Sequence, residues 1–216
     1  MTDKATTSTF DDFIKRFPEM SFLDPMSKLD FDLTAIDQNE LQALKNYFSN
    51  ICTDLTLYMQ LFANKNHIEE LKKFNEFVFL HLERAYLEKI CLKVATLMDP
   101  PKSMGKENLS LRRFIEQTNS NLLKNHFNSL LEFYEKSGIK DWRNKVLAHA
   151  DLSVLSGASE LNINFNREDV EDFVSQIQEF IDWISDPKVA TDHLVVLPRE
   201  FDGYSFIKKI KAQNET

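Results

Sequence analysis

Glycine is scarce: the 216 residues contain four, at Gly105, Gly138, Gly157 and Gly203, each isolated from the others. Average usage of about 7% predicts roughly fifteen. Proline is also sparse, with six. Sheet-rich folds need turn residues every ~8–12 positions, and this chain cannot supply them. It has no G-x-G-x-x-G, no phosphate-binding P-loop and no G-x-S-x-G elbow, which disfavours the nucleotide and hydrolase folds built on those turns. The two cysteines, Cys52 and Cys91, lie 39 residues apart in apolar periodic stretches. That spacing makes neither a metal knuckle nor a redox pair, so both are expected as small buried hydrophobes in a reducing compartment. There is no H-E-x-x-H and no E-x-x-H pair among the five histidines, so no metal and no cofactor is expected. No uncharged apolar run reaches about 18 residues, so no membrane span is expected. The opening MTDKATTSTFDDF lacks the apolar stretch of a secretory signal. Together these point to a cytoplasmic protein.

What remains is acidic and rich in phenylalanine. The net charge is −8, with eighteen Phe and 43% apolar residues. That is enough apolar material for a core, and the charge argues against a general basic coat for nucleic acid. The charge is uneven, however. Residues 102–150 carry nine Lys and Arg against five Asp and Glu, a local surplus consistent with an anion site or with solvated helix faces.

Apolar spacing predicts helices throughout. Asp37 followed by Glu40 reads as a helix entry. Leu41, Leu44, Phe48, Ile51, Leu55, Tyr58 and Phe62 then recur at alternating threes and fours, one stripe on a helix of about 25 residues. After the short Asn64-Lys65-Asn66 break a second helix should turn back antiparallel. It uses Ile68, Leu71, Phe74, Val78, Leu82, Tyr86, Ile90, Val94 and Leu97 as far as Pro100-Pro101. Burial of Phe48, Ile51, Phe74 and Ile90 belongs to this reading, and His81 is expected partly buried. Residues 102–109 read as a polar loop, and Ser110 as the cap of a short helix. A helix over 121–137 should end at Gly138 in a left-handed cap. Another is expected from Lys140 to about Leu155, then a loop or short extended piece over 158–165. Asn166 should cap a helix buried through Val170, Phe173, Val174, Ile177, Phe180, Ile181 and Ile184, with Pro187 ending it. A last short helix is expected near Gly203–Lys211. The fold class is all-α: an antiparallel bundle of four to five main helices with short terminal extensions. The divisions are an N-terminal arm over 1–36, the bundle over 37–186 and a C-terminal tail over 187–216.

The segment with the most chemistry is Asp141-Trp-Arg-Asn-Lys-Val-Leu-Ala-His-Ala-Asp151. Arg143 and His149 are six residues apart, about 240° around and about 9 Å along an ideal helix. They converge better if the helix bends or a second subunit closes the site. An imidazole exchanges protons near neutrality. A guanidinium holds a phosphate in a fork and offsets charge developing on it. Asn144 can supply an orienting hydrogen bond. These three groups suit metal-free attack of a ribose 2′-hydroxyl on an RNA phosphodiester. The same spacing also suits an ordinary helix with Trp142, Val146 and Leu147 inward and its polar residues outward.

The stretch Arg143-Asn-Lys-Val-Leu-Ala-His149 resembles the R-x(4–6)-H signature of the HEPN superfamily. Leu92-Lys-Val-Ala-Thr-Leu-Met-Asp-Pro100, followed by Glu107-Asn-Leu-Ser-Leu111, resembles the AbiU-like (abortive-infection) branch, which pairs such a helix end with a later R-[polar]-x-x-x-A-H-x-D. The likeness covers roughly residues 38–185. It implies an all-α bundle that dimerises through the face carrying the motif. It implies a metal-independent endoribonuclease of phage defence, or a toxin, with RNA as substrate and an antitoxin or defence protein as partner. Arg143 and His149 match the two ends of the signature and Asn144 its polar position. Some members carry a Tyr two residues after the His. Asp151 stands there in this chain, so control by modification of that Tyr is not implied. Other members are inactive scaffolds, and a non-catalytic helical interaction module is the alternative function.

Overall fold

A computed structural model describes residues 32–147, 166–185, 195–200 and 202–215. Among them are seven helices, α1 Gln38–Phe62, α2 Lys65–Leu97, α3 Leu111–Thr118, α4 Asn121–Lys136, α5 Ile139–Trp142, α6 Arg167–Ser185 and α7 Gly203–Asn214, and one small hairpin, β1 Lys102–Ser103 with β2 Lys106–Glu107. The all-α reading holds. The assigned arm (residues 1–31 of it), the expected piece at 158–165 and the stop at Pro187 lie outside the described residues.

Local chemistry explains most boundaries. The Asp37 carboxylate accepts from the backbone N–H of Asn39 and Glu40 and starts α1, as the cap pattern predicts. Asn166 and Asp169 cap α6 reciprocally, each side chain accepting from the other's backbone N–H at 3.0 and 2.8 Å. Gly138 takes φ +81° between α4 and α5, the left-handed turn a residue with a Cβ adopts at a cost. Ser110 stands at the N-cap of α3, but its hydroxyl makes no capping bond.

The long helices pack antiparallel. Tyr47 of α1 donates to the Lys93 carbonyl of α2 at 3.3 Å. Buried Asp54 holds Lys89 and Lys93 at 2.8 and 2.7 Å. Phe62, at the far end of α1, meets Tyr86. The core between them includes Phe48, Ile51, Leu55, Ile90, Val94 and Leu97, and α4 and α6 close it with Leu123, Leu130, Phe173, Ile177 and Phe180. His126 ties α4 to α6. Its Nε2–H donates to the Gln176 carbonyl at 2.9 Å, and its ring lies against Trp183 and Phe180. Burial keeps this imidazole neutral by lowering its pKa. α7 packs on α2 through Phe206 against Phe79 and on α1 through a contact that only glycine allows, since a Cβ on Gly203 would sit 2.7 Å from that of Gln60. Both cysteines are buried, and burial pushes the Cys91 thiol up to about 12.

The second helix departs from expectation. Its backbone opens at Asn75 (φ −165°, ψ 93°), splitting α2 into two pieces. The Asn75 side chain accepts from the Val78 N–H at 3.1 Å and caps the second piece. Phe74 is 51% exposed, and Val78 and Leu82 are exposed as well, while Phe79 is buried at 7%. The cause is visible in the spacing. From Phe74 to Val94 the expected stripe advances by fours, and each step of four drifts about 40° around the helix. Beyond the break at Asn75 the four steps from Val78 to Val94 sum to about 160°, so these residues cannot share one face. His81 follows the same rotation. It is exposed, with Nδ1 2.8 Å from the Phe77 carbonyl and its ring against Phe77.

Two further differences bear on function. The polar loop after Pro101 is a hairpin, because Met104 and Gly105 both take positive φ (+49° and +78°) and close a two-residue turn. Of the helix expected from Lys140 to about Leu155, the part through Trp142 has α geometry, and residues 148–155 lie outside the described residues. Residues Arg143–Leu147 form a π-helical turn.

Candidate active site

Arg143 is delivered by the end of α5. Ile139 and Trp142 bury that short helix against the bundle, and the wider π turn begins at Arg143 itself. Such turns re-aim side chains and recur at functional sites. The opposing wall is the C-terminal end of α2, where buried Leu97 and Met98 set the position of Asp99.

Arg143 and Asp99, 44 positions apart in sequence, meet there. Arg143 Nη2 donates to Asp99 Oδ2 at 2.9 Å, and Nη1 donates to Asn144 Oδ1 at 2.8 Å. The two charged side chains are 28% and 24% exposed, so the pair is sheltered but reachable. The guanidinium also offsets the negative end of the α2 dipole. These bonds engage two of its five N–H donors. Tyr134 of α4 is buried beside the pair. Its phenol is pushed up to about 12 by burial first, with Asp99 raising it and Arg143 opposing. It stays protonated at neutral pH. The exposed pairs Lys140–Glu135 and Lys145–Asp141 flank the turn.

The structure therefore brings Arg143 and Asn144 together and adds Asp99 and Tyr134, which the motif reading did not assign to the site. Asp99 stands within the quoted Leu92–Pro100 stretch, but no local spacing ties it to Arg143. Tyr134 reads only as part of an apolar stripe. His149 lies outside the described residues. Among the described residues, no cluster of three or more His, Cys, Asp or Glu could hold a metal ion, and no helix is long and apolar enough to cross a membrane.

The second quoted stretch is structural. Asn108 donates through its side chain to the Pro100 carbonyl and to Ser103 Oγ, at 2.8 and 2.9 Å. Glu107 pairs with Arg113, which also grips Glu40 of α1. These bonds hold the chain leaving Asp99 against the bundle.

The family model for AbiU2, a HEPN domain of the abortive-infection branch, matches residues 38–186. Comparison with curated proteins and with solved structures finds no match.

Proposed function

The chain belongs to the AbiU2 branch of the HEPN family, and from that premise we propose that it is a metal-independent endoribonuclease of phage defence, a cytoplasmic toxin to the infected cell that works as a homodimer. The observation that carries this reading is the oriented Arg143: a sheltered guanidinium fixed by Asp99 and Asn144, with donors beyond those two bonds. His149 is the general base that takes the ribose 2′-hydroxyl proton. The 2′-oxygen attacks phosphorus, the P–O5′ bond breaks, and a proton passes to the leaving 5′-oxygen. The products are a 2′,3′-cyclic phosphate and a 5′-hydroxyl. Arg143 binds the phosphate and offsets the charge that builds on it, and Asn144 orients the fork. Two-fold pairing of the Lys140 segments brings two such sets together, so that one imidazole accepts the proton and the other supplies one.

The second reading is a non-catalytic helical module that docks a protein, an antitoxin or a defence partner, on the same surface. The net charge of −8 and the existing Arg143–Asp99 pair favour it. Expression of wild type beside His149→Ala in phage-infected cells, with profiling of RNA ends, separates the two. The enzyme reading expects new 5′-hydroxyl ends and growth arrest with wild type alone. Identical RNA profiles and equal phage resistance favour the module.

A further inference from the structure

Residues 102–107 form a hairpin that does nothing for the core. All six residues are exposed, and Met104 is fully so. Its turn demands left-handed backbone at a non-glycine residue, Met104, which costs about 1 kcal/mol. Two-stranded hairpins are marginal in water, yet this one is fastened at its base. Asn108 bonds the Pro100 carbonyl, Ser103 Oγ and, through its backbone N–H, the Pro101 carbonyl. Glu107 is tied through Arg113 to α1. An element that buries no apolar surface, carries a strained residue and is still fastened is shaped for a contact outside the chain.

Its position says where. The hairpin leaves α2 three residues after Asp99, whose carboxylate holds Arg143, so its tip is at most about 17 Å of chain from that pair. Its register says how. Lys102 lies opposite Glu107 and Ser103 opposite Lys106, and directly paired residues share a face. One face is neutralised internally by the Lys102–Glu107 pair at 3.3 Å. The other presents the Lys106 ammonium, which has no ion-pair partner among the described residues, beside the Ser103 hydroxyl. Ser103 Oγ already accepts from Asn108, so its proton is the part left to donate.

We propose that this hairpin is a second RNA contact of the site. Lys106 and Ser103 take a phosphate a few nucleotides from the scissile one, and Met104 packs its thioether against a base. An ammonium and a hydroxyl are donors that phosphate oxygens accept, and a polarizable sulfur packs well on an aromatic face. The proposal rests on the ribonuclease reading and names how that site grips its substrate.

The test compares full-length wild type, Lys106→Glu and Met104→Ala on a single-stranded RNA of about fifteen nucleotides and on a dinucleotide too short to reach the hairpin. Affinity for the longer RNA is measured separately by fluorescence anisotropy. Every substituted side chain is exposed, so circular dichroism should show an intact fold. Lys106→Glu is expected to weaken binding of the longer RNA about tenfold, to lower the salt dependence by about one phosphate contact, and to raise KM far more on the longer RNA than on the dinucleotide. Met104→Ala should weaken binding by a smaller, salt-independent factor. Equal affinity of Lys106→Glu and wild type for the longer RNA overturns the proposal, whether or not cleavage is seen. Absence of cleavage by wild type with the affinity difference intact refutes the ribonuclease reading and leaves the RNA contact standing.

Discussion

Asp99→Asn is the sharpest probe of how the site is built. The substitution keeps shape and one hydrogen-bond acceptor but removes the charge that faces Arg143 across 2.9 Å. A hydrogen bond to a charged group contributes about 1.5–3 kcal/mol. Both side chains are about a quarter exposed, so water recovers part of the loss, and about 1–2 kcal/mol is expected after that discount. For a chain of this size the melting temperature should fall by roughly 2–8 °C. The larger effect is on turnover. Removing a charge-stabilising donor typically costs about 10²–10³-fold. Here the donor is loosened rather than removed, so a kcat loss of about tenfold to a hundredfold is expected, with KM little changed. Calorimetry and steady-state cleavage of a fluorogenic RNA measure the two. Asp99→Glu, which restores the charge, should recover more turnover than stability. A rise in RNA affinity and turnover in Asp99→Asn would refute the reasoning, since it would mean that Asp99 blocks the fork instead of aiming it.

Three further outcomes follow from the packing. Glu179 of α6 is held up at about 7 by burial, with Asp182 adding to the shift. Its folded-state pKa lies above the unfolded one, so its contribution to stability is greatest below about pH 4.5 and is lost as pH rises through 7. Glu179→Gln should therefore raise the melting temperature near pH 8, by the equivalent of about 2–3 kcal/mol, and change little near pH 4.5; a pH-independent difference contradicts this. Phe79→Ala should cost about 3–5 kcal/mol and Phe74→Ala under about 1 in urea titrations, because only Phe79 is buried; equal costs would restore the stripe read from the sequence. Asn75→Ala should cost about 1 kcal/mol by removing the cap on the second piece of α2, seen as local loss of hydrogen-exchange protection near Val78.

The parts of the fold legible in the sequence are those set by local periodicity and capping. The alternating threes and fours of α1 hold one face from Leu41 to Phe62, and its Asp37 cap forms as the pattern requires. The same logic reads Gly138 and Asn166. It misreads α2, where steps of four look apolar but precess, and where Asn75, an inconspicuous polar residue, turns out to restart the helix. The hairpin at 102–107 is hidden because its two strands are only two residues long, with no alternation to detect. In the site, Arg143 and Asn144 are visible from their neighbourhood in the motif, but their orientation is not. It depends on Asp99, a pairing made by tertiary packing across 44 positions, and on a π turn that no spacing announces. Tyr134 is indistinguishable in sequence from the core residues around it.

The central claim is that Arg143 and His149 cut RNA without a metal. The most direct measurement incubates the purified full-length protein with end-labelled RNA in excess EDTA, beside Arg143→Lys and His149→Ala, and identifies the product ends. The account predicts cleavage by wild type that persists in EDTA and leaves a 2′,3′-cyclic phosphate. It predicts a loss of about 10²–10⁴-fold in His149→Ala and no rescue by lysine at position 143, which lacks the planar fork. Cleavage abolished by EDTA, or left intact in His149→Ala, would contradict it.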